Sequence, residues 1–324
     1  MLFLGHTRFS LYEPDSPSWR LSRADESKDR SVYEAALFSH ERLHGRGQIF
    51  FDHTLPTLDI ASRGFKLIHV VSFSENLPQK YKEKLYEAQA KYGWLVLDER
   101  GTKKRGTANG LEFIRKHLEV GELFASFRLD DDDILATNFF HRAAEFVTED
   151  NIGRVVSFGL GIQAFFQNGN FIAPRMEHRP KIAIGLLSIG KHSEKGRLQK
   201  PRSIAHTKSD IANVVILDSR EIGFIHTMHG SQDSGVDKED GDFARRFRNY
   251  LNLPEVTEEN DRIQELFPTV TFNDLDVLKG EAARLVEWNF KVRTKERVQS
   301  AIRKLVSHAR EWLERRGDLR KHSV

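Results

Sequence analysis

Apolar runs of strand length alternate with stretches of helical spacing through the first half of this chain. Residues 2–7 form a short apolar run that predicts a strand. Residues 32–43 have helical spacing. Residues 65–73 (FKLIHVVSF) are rich in β-branched and aromatic side chains and predict a buried strand. Pro78 opens a helical stretch that Gly93 ends. Residues 94–97 predict a third strand, 108–118 a helix, 123–129 (LFASFRL) a fourth strand and 134–148 another helix. This β-α-β-α order predicts an α/β fold with a largely parallel sheet and helices on both faces. Ligands of such sheets bind at the carboxyl ends of the strands.

The pattern then becomes irregular. Residues 155–158 predict a strand that 162–166 continues, and Asn168-Gly169 predicts a hairpin turn into 171–173. Residues 190–208, dense in Gly, Lys and Arg, read as a loop. Short strands are expected at 214–217 and 222–226, and a helix at 257–267. Residues 281–316 form a long helical stretch, with Val298, Ile302, Leu305, Ala309 and Trp312 along one face.

Composition narrows the class. Of 324 residues, 39% are hydrophobic, enough for a sizeable core. No segment approaches the ~20 consecutive apolar residues of a membrane-spanning helix, and the N-terminus MLFLGHTRFS lacks the features of a secretory signal. Cysteine is absent, which removes disulfides and thiolate chemistry. The expected compartment is cytoplasmic. The net charge of +3 hides an asymmetry, because residues 293–324 hold ten Lys or Arg against four acids, a net +6, leaving −3 for the rest. Such a tail suits peripheral contact with an anionic membrane face, or is simply the solvated side of a helix. With the rest of the chain net acidic and no aromatic stripe interleaved with the basic residues, no nucleic-acid role is expected.

The strand at 123–129 runs directly into Asp130-Asp131-Asp132-Asp133. Four adjacent carboxylates repel one another unless a cation sits among them. Hard divalent ions, Mn²⁺ or Mg²⁺, suit such oxygens, and substrate phosphates complete their shell. In an extended segment Asp130 and Asp132 face one way and Asp131 and Asp133 the other, so Asp133 is placed to cap the helix expected after it. A plain solvated turn is the competing reading. His229, in IHTMHGS, is a candidate third ligand, and His226 would converge with it only in a turn. The basic, glycine-containing stretch KKRGTANG, which includes Arg105 and Asn109, is a candidate anion site or an ordinary loop. Thr7-Arg8-Phe9-Ser10 follows the first strand; Arg8 could pair with a phosphate and Phe9 stack on a base.

In order, HTRFS, TLPTLDIASRGFKLIHVVSFSENLP, GTANG, FRLDDDDIL and IHTMHGS resemble the putative rhamnosyl transferases, glycosyltransferases with a GT-A-type nucleotide-binding fold. The resemblance covers roughly residues 3–235. It implies a GT-A-like domain over 1–250, with a donor half to about 135 and an acceptor half from about 136, followed by a C-terminal helical extension over 251–324. It implies that Asp130 and Asp132 are the DxD pair, Asp132 being the direct metal ligand, and that His229 is the downstream histidine of metal-dependent members. Thr7, Arg8, Phe9, Asn109, Arg128, Asp130 and Asp131 would contact a nucleotide-sugar donor carried on dTDP, UDP or GDP. Glu239-Asp240 before DFARRF is similar to the Glu-Asp pair of family-two enzymes, but it falls after His229, where that pair is expected earlier.

The mechanism these residues predict is an inverting transfer to a glycan or lipid-linked hydroxyl, with Asp210, Asp233 or Asp240 as base. A nucleotidyltransferase would use the same fold and metal, but the segment after Phe9 lacks its glycine-rich loop. A non-catalytic sugar-binding or scaffold protein would not need four clustered acids.

Overall fold

The structure, a computed structural model, describes residues 1–13, 30–101, 116–229, 241–280, 282–284 and 286. Strand β1 (Leu2–Phe9) lies inside the larger sheet, parallel to β2 (Lys66–Ser74) on one side and to β4 (Leu123–Arg128) on the other. Strand β3 (Leu95–Arg100) extends the β2 side. On the β4 side the order continues through β9 (Leu187–His192), β6 (Val155–Ser157) and β11 (Val215–Leu217). Strand β9 runs antiparallel to both its neighbours, and β10 (Leu198–Gln199) pairs with it. The α/β class and the mostly parallel sheet are therefore as expected.

Helices cover this sheet through apolar stripes. After α1 (Arg30–Leu37), helix α2 (His40–Gln48) passes without a break through a π-helical turn (Ile49–Thr54) into α3 (Leu55–Ala61). Pro56 explains the wide turn: its ring would clash with the carbonyl four residues back in a regular helix, and it offers no N–H. Leu43, Phe50 and Leu55 of this rod pack with Tyr81, Leu85 and Ala88 of α4 (Gln79–Lys91) over Val71 and Phe73 of β2. Leu58 and Ala61 join Phe139, Phe140 and Ala143 of α5 (Phe139–Phe146) over Phe3, Ala125 and Phe127.

A smaller sheet runs in the order β13 (Phe272–Asn273), β8 (Asn170–His178), β7 (Leu160–Gln167), β12 (Phe224–Met228) and β5 (Asp133–Leu135). Its cores are formed with α7 (Gly241–Leu251) and α8 (Asn260–Leu266): Phe247 and Tyr250 pack on Phe165 and Ile172, and Ile263, Leu266 and Phe267 pack with Ile134, Ile162 and Ile225. The β7–β8 hairpin turns at Asn168 and Gly169, both at positive φ, as Asn-Gly predicts.

Four expectations change. The helix foreseen over 134–148 begins only at Phe139, because residues 133–135 pair with β12 as a strand. Residues 162–166 do not continue β6 but belong to β7 in the other sheet, after a break at Phe158-Gly159. Residues 190–208 are not one loop, since β9 and β10 form a hairpin within them. The stretch from 251 is no separate helical extension at its start, for α8 fills the smaller sheet's core and β13 pairs with β8. Residues 287–324, with most of the predicted long helix and all of the basic tail, lie outside the described residues. Among the described residues, no helix is long and apolar enough to cross a membrane.

Candidate functional site

The acidic run is the crossover between the two sheets. Strand β4 delivers Asp130 at its carboxyl end, and Asp133 already belongs to β5. The run thus stands beside the carboxyl end of β1, the position that open α/β sheets use for ligands. It lines a cavity of about 630 Å³ together with Arg8, Arg46, Gln163, Glu177, Arg179, His226, Met228, Arg246 and Tyr250.

Each carboxylate has its own partner. Asp130 is half-buried and takes the Arg128 guanidinium through Nε at 2.8 Å and Nη2 at 2.6 Å. Asp131 is buried, paired with Arg46, and accepts the Ser10 backbone N–H at 3.2 Å. Ser10 holds that N–H in place at φ 44°, with its hydroxyl fixed by Arg42 at 2.8 Å. Asp132 lies 3.1 Å from Arg46 Nη2 and 3.1 Å from His229 Nε2. Asp133 accepts the Thr227 N–H at 3.3 Å, and its carbonyl accepts the Thr54 hydroxyl at 2.9 Å, so the π-helical turn reaches the run directly. Asp133 is therefore a strand residue and not the helix cap expected of it, because α5 starts six residues later.

Burial and shared charge set the electrostatics. Burial lifts Asp131 to about 6 against the pull of Arg46, helped by neighbouring Asp132. Burial also acts on Asp132, but Arg46 and the His229 hydrogen bond outweigh it and hold that carboxylate below the usual range. The two acids share one guanidinium, so one keeps the charge and its neighbour gives way. Asp133 is pushed well up by burial and by Asp132 and Asp130. Burial lowers His229, keeping its ring neutral and able to donate a lone pair. Arg8 is lowered by burial and by facing Arg128, a strain that a bound anion would relieve.

Among the described residues, no three His, Asp or Glu side chains are gathered as a ready metal cage. The donor chemistry nevertheless fits a hard divalent cation. Asp132 Oδ2 and His229 Nε2 stand 3.1 Å apart, close to the ~3 Å between adjacent ligands of an octahedral ion with ~2.1 Å bonds. Substrate phosphates supply the remaining positions in such sites. Asp130 is turned instead towards Arg128.

Other expected residues separate. Arg8, Asp130, Asp131 and Asp132 line the cavity, with Arg128 on Asp130 and His229 on Asp132. Phe9 is wholly buried against Phe50, Phe51 and Tyr81, and so offers no face to a base. Thr7 is also fully buried, its hydroxyl donating to the Leu129 carbonyl at 2.8 Å and meeting His69 at 2.8 Å. Asp210 is exposed on α6 (Ser209–Ala212), pairs with Lys181 at 2.7 Å and stands outside the cavity. Arg105, Asn109, Asp233 and Asp240 lie outside the described residues. Reasoning from sequence missed Arg46, Gln163, Glu177 and Arg179. The only local signal was the Arg42–Arg46 spacing, which puts two cations on one helix face.

The family described as "Putative rhamnosyl transferase" matches residues 3–240. No curated protein matches. Among solved structures, the inositol-1-phosphate CTP transferase of T. maritima aligns at TM-score 0.33 and 12% identity, over 74% of this chain and 93% of that one. S. aureus TarS 1–349 aligns at TM-score 0.31 and 12% identity, over 81% and 68%. The mannosyltransferase PcManGT of Pyrobaculum calidifontis, solved with GDP-Man and Mn²⁺, aligns at TM-score 0.32 and 13% identity, over 76% and 61%. At such scores none of the three speaks to the chemistry of this chain.

Proposed function

This chain belongs to the putative rhamnosyl transferase family, and from that premise we propose that it moves a sugar from a nucleoside-diphosphate donor to a hydroxyl of a glycan or lipid-linked acceptor, with inversion. The observation that carries the reading is the meeting of Asp132 and His229 at 3.1 Å beside a cavity that also holds Arg8, Arg46 and Arg246. Arg8 and Arg246 bind the donor diphosphate, and Asp130 and Arg128 orient its ribose or sugar. Asp132 and His229 would hold Mn²⁺ or Mg²⁺, which when bound neutralises charge on the leaving diphosphate. Rhamnose is the sugar that the family description names. Asp233 and Asp240 stay in this reading as acids able to assist the acceptor, whereas Asp210 pairs with Lys181 and does not line the cavity.

Isothermal titration with UDP, GDP and dTDP, each with Mn²⁺ and with EDTA, tests this on the wild type and on Asp132→Ala. One nucleotide should bind with metal, and that binding should vanish in the variant; dTDP as that nucleotide would favour rhamnose. If none binds with metal present, the reading fails. Release of pyrophosphate from a nucleoside triphosphate and a sugar 1-phosphate would replace it with nucleotidyl transfer.

A further inference from the structure

The smaller sheet adds a second polar group to the cavity, beyond the acidic run. His226 on β12 stands opposite Asp133 of β5 and beside Gln163 of β7 in the strand register. From β8, the buried Glu177 reaches it, and His226 Nδ1 lies 2.8 Å from Glu177 Oε2. Both residues line the same cavity as Asp130, Asp131 and Asp132. Glu177 also lies 3.4 Å from Arg179. Burial would raise Glu177, but His226 and Arg179 hold it below the ordinary carboxylate range, so it is an anion. A carboxylate on Nδ1 fixes the tautomer that carries its proton there and leaves a lone pair on Nε2. Among the described residues, that Nε2 has no hydrogen-bond partner.

Three carboxylates of the run are already engaged by other side chains. Asp132 is held by Arg46 and His229, Asp131 by Arg46, and Asp130 by Arg128. The Glu177–His226 couple has the composition of a general base with its orienting anion, and it shares the cavity in which the donor is placed.

We propose that His226 is the general base of the transfer and that Glu177 positions it; the inference rests on the glycosyltransferase reading above. The acceptor O–H proton passes to His226 Nε2 while the acceptor oxygen forms its bond to the anomeric carbon. The bond from that carbon to the donor phosphate oxygen breaks, and its electron pair leaves with the nucleoside diphosphate. Glu177 stabilises the imidazolium until the proton returns to solvent.

The test measures nucleoside diphosphate release from dTDP-, UDP- and GDP-linked sugars, with water or a simple alcohol as acceptor. Nucleoside diphosphate affinity is measured alongside as a check on folding. His226→Ala should lose about 10²–10⁴-fold in kcat, keep wild-type affinity for the nucleoside diphosphate, and regain turnover with added imidazole. Glu177→Gln should lower kcat without changing KM for the donor, and Glu177→Asp should recover part of the loss. Wild-type kcat in His226→Ala overturns the assignment. So does a loss that imidazole does not restore in a variant that still binds nucleotide, and then Asp233→Asn and Asp240→Asn become the variants to measure. A wild type that neither binds nor turns over any of the three donors overturns the glycosyltransferase reading itself, a distinct outcome.

Discussion

Arg46 of α2 lies 3.1 Å from Asp132, pairs with Asp131 through its other amino group, and is buried with both. One guanidinium therefore offsets two adjacent, largely buried carboxylates. Removing it leaves uncompensated buried charge, which costs about 3–5 kcal/mol when a buried pair is broken from one side. Arg46→Met should lose stability on that scale in urea unfolding. The double variant Arg46→Met/Asp131→Asn should recover part of it, since one of the orphaned charges is gone. A loss below about 1 kcal/mol in the single variant would mean that the pair is worth no more than an exposed one.

The Asp132–His229 couple makes a second prediction, separate from nucleotide binding. An ion that binds only the folded chain stabilises it by about 2.7 kcal/mol at a hundredfold excess over its Kd. Mn²⁺ alone should raise the melting temperature of the wild type, and this gain should disappear in both Asp132→Ala and His229→Ala. An equal gain in all three proteins would place the ion elsewhere.

Much of this site was legible in the sequence, because strands ending in charge announce themselves. The apolar run before Asp130 and the hydrophobic spacing of α4 are local signals, and they gave the parallel sheet and the position of the acids along it. What was not legible depends on contacts far apart in sequence. Asp133 reads as a helix cap by propensity, yet pairing with β12, some ninety residues later, makes it a strand. Phe9 reads as an exposed stacking ring, but Phe50 and Phe51 from the π-helical turn enclose it. Glu177 had no local signal at all, because its meaning comes from His226 two strands away. Gly5 is similar: a Cβ there would stand 1.9 Å from His69 Nδ1, which nothing in the sequence around it reveals.

Acid should destabilise this fold in a defined window. Burial lowers His6 to about 4, with Arg100, Arg8 and Arg128 adding to the effect. Burial and His6 lower His69 to about 3. Both rings are neutral in the folded chain, whereas the unfolded chain protonates them near the ordinary 6.5. The stability they confer is complete above pH 6.5 and declines as pH falls from there towards 4, because only the unfolded state takes up the protons. Each histidine contributes a slope of about 1.4 kcal/mol per pH unit in that window. His6→Asn should make the slope of urea-unfolding free energy against pH shallower by about that amount. An unchanged slope would show that His6 is protonated in the folded chain as readily as in the unfolded one.

Tyr250 fixes the helix that closes the far side of the cavity. Its hydroxyl donates to the carbonyls of Ile172, at 2.7 Å, and Ala173, and accepts the Phe165 N–H at 3.2 Å. These three groups sit where the β7–β8 ladder is irregular: the register shifts between Gln163 and Phe165, and Ala173 is at φ 49°. The ladder cannot satisfy the backbone there, so the phenol does it from α7. Tyr250→Phe keeps the ring packed on Phe247 but leaves a buried N–H without its acceptor, at a cost of about 1–3 kcal/mol. Hydrogen exchange should locate the effect, with faster exchange at Phe165 and through α7 and unchanged protection in β1 and β2. If protection falls equally in both sheets, the hydroxyl supports the whole fold and not this junction. Ala173→Gly in the Tyr250→Phe background should then return a fraction of the loss, because glycine adopts the positive φ without strain.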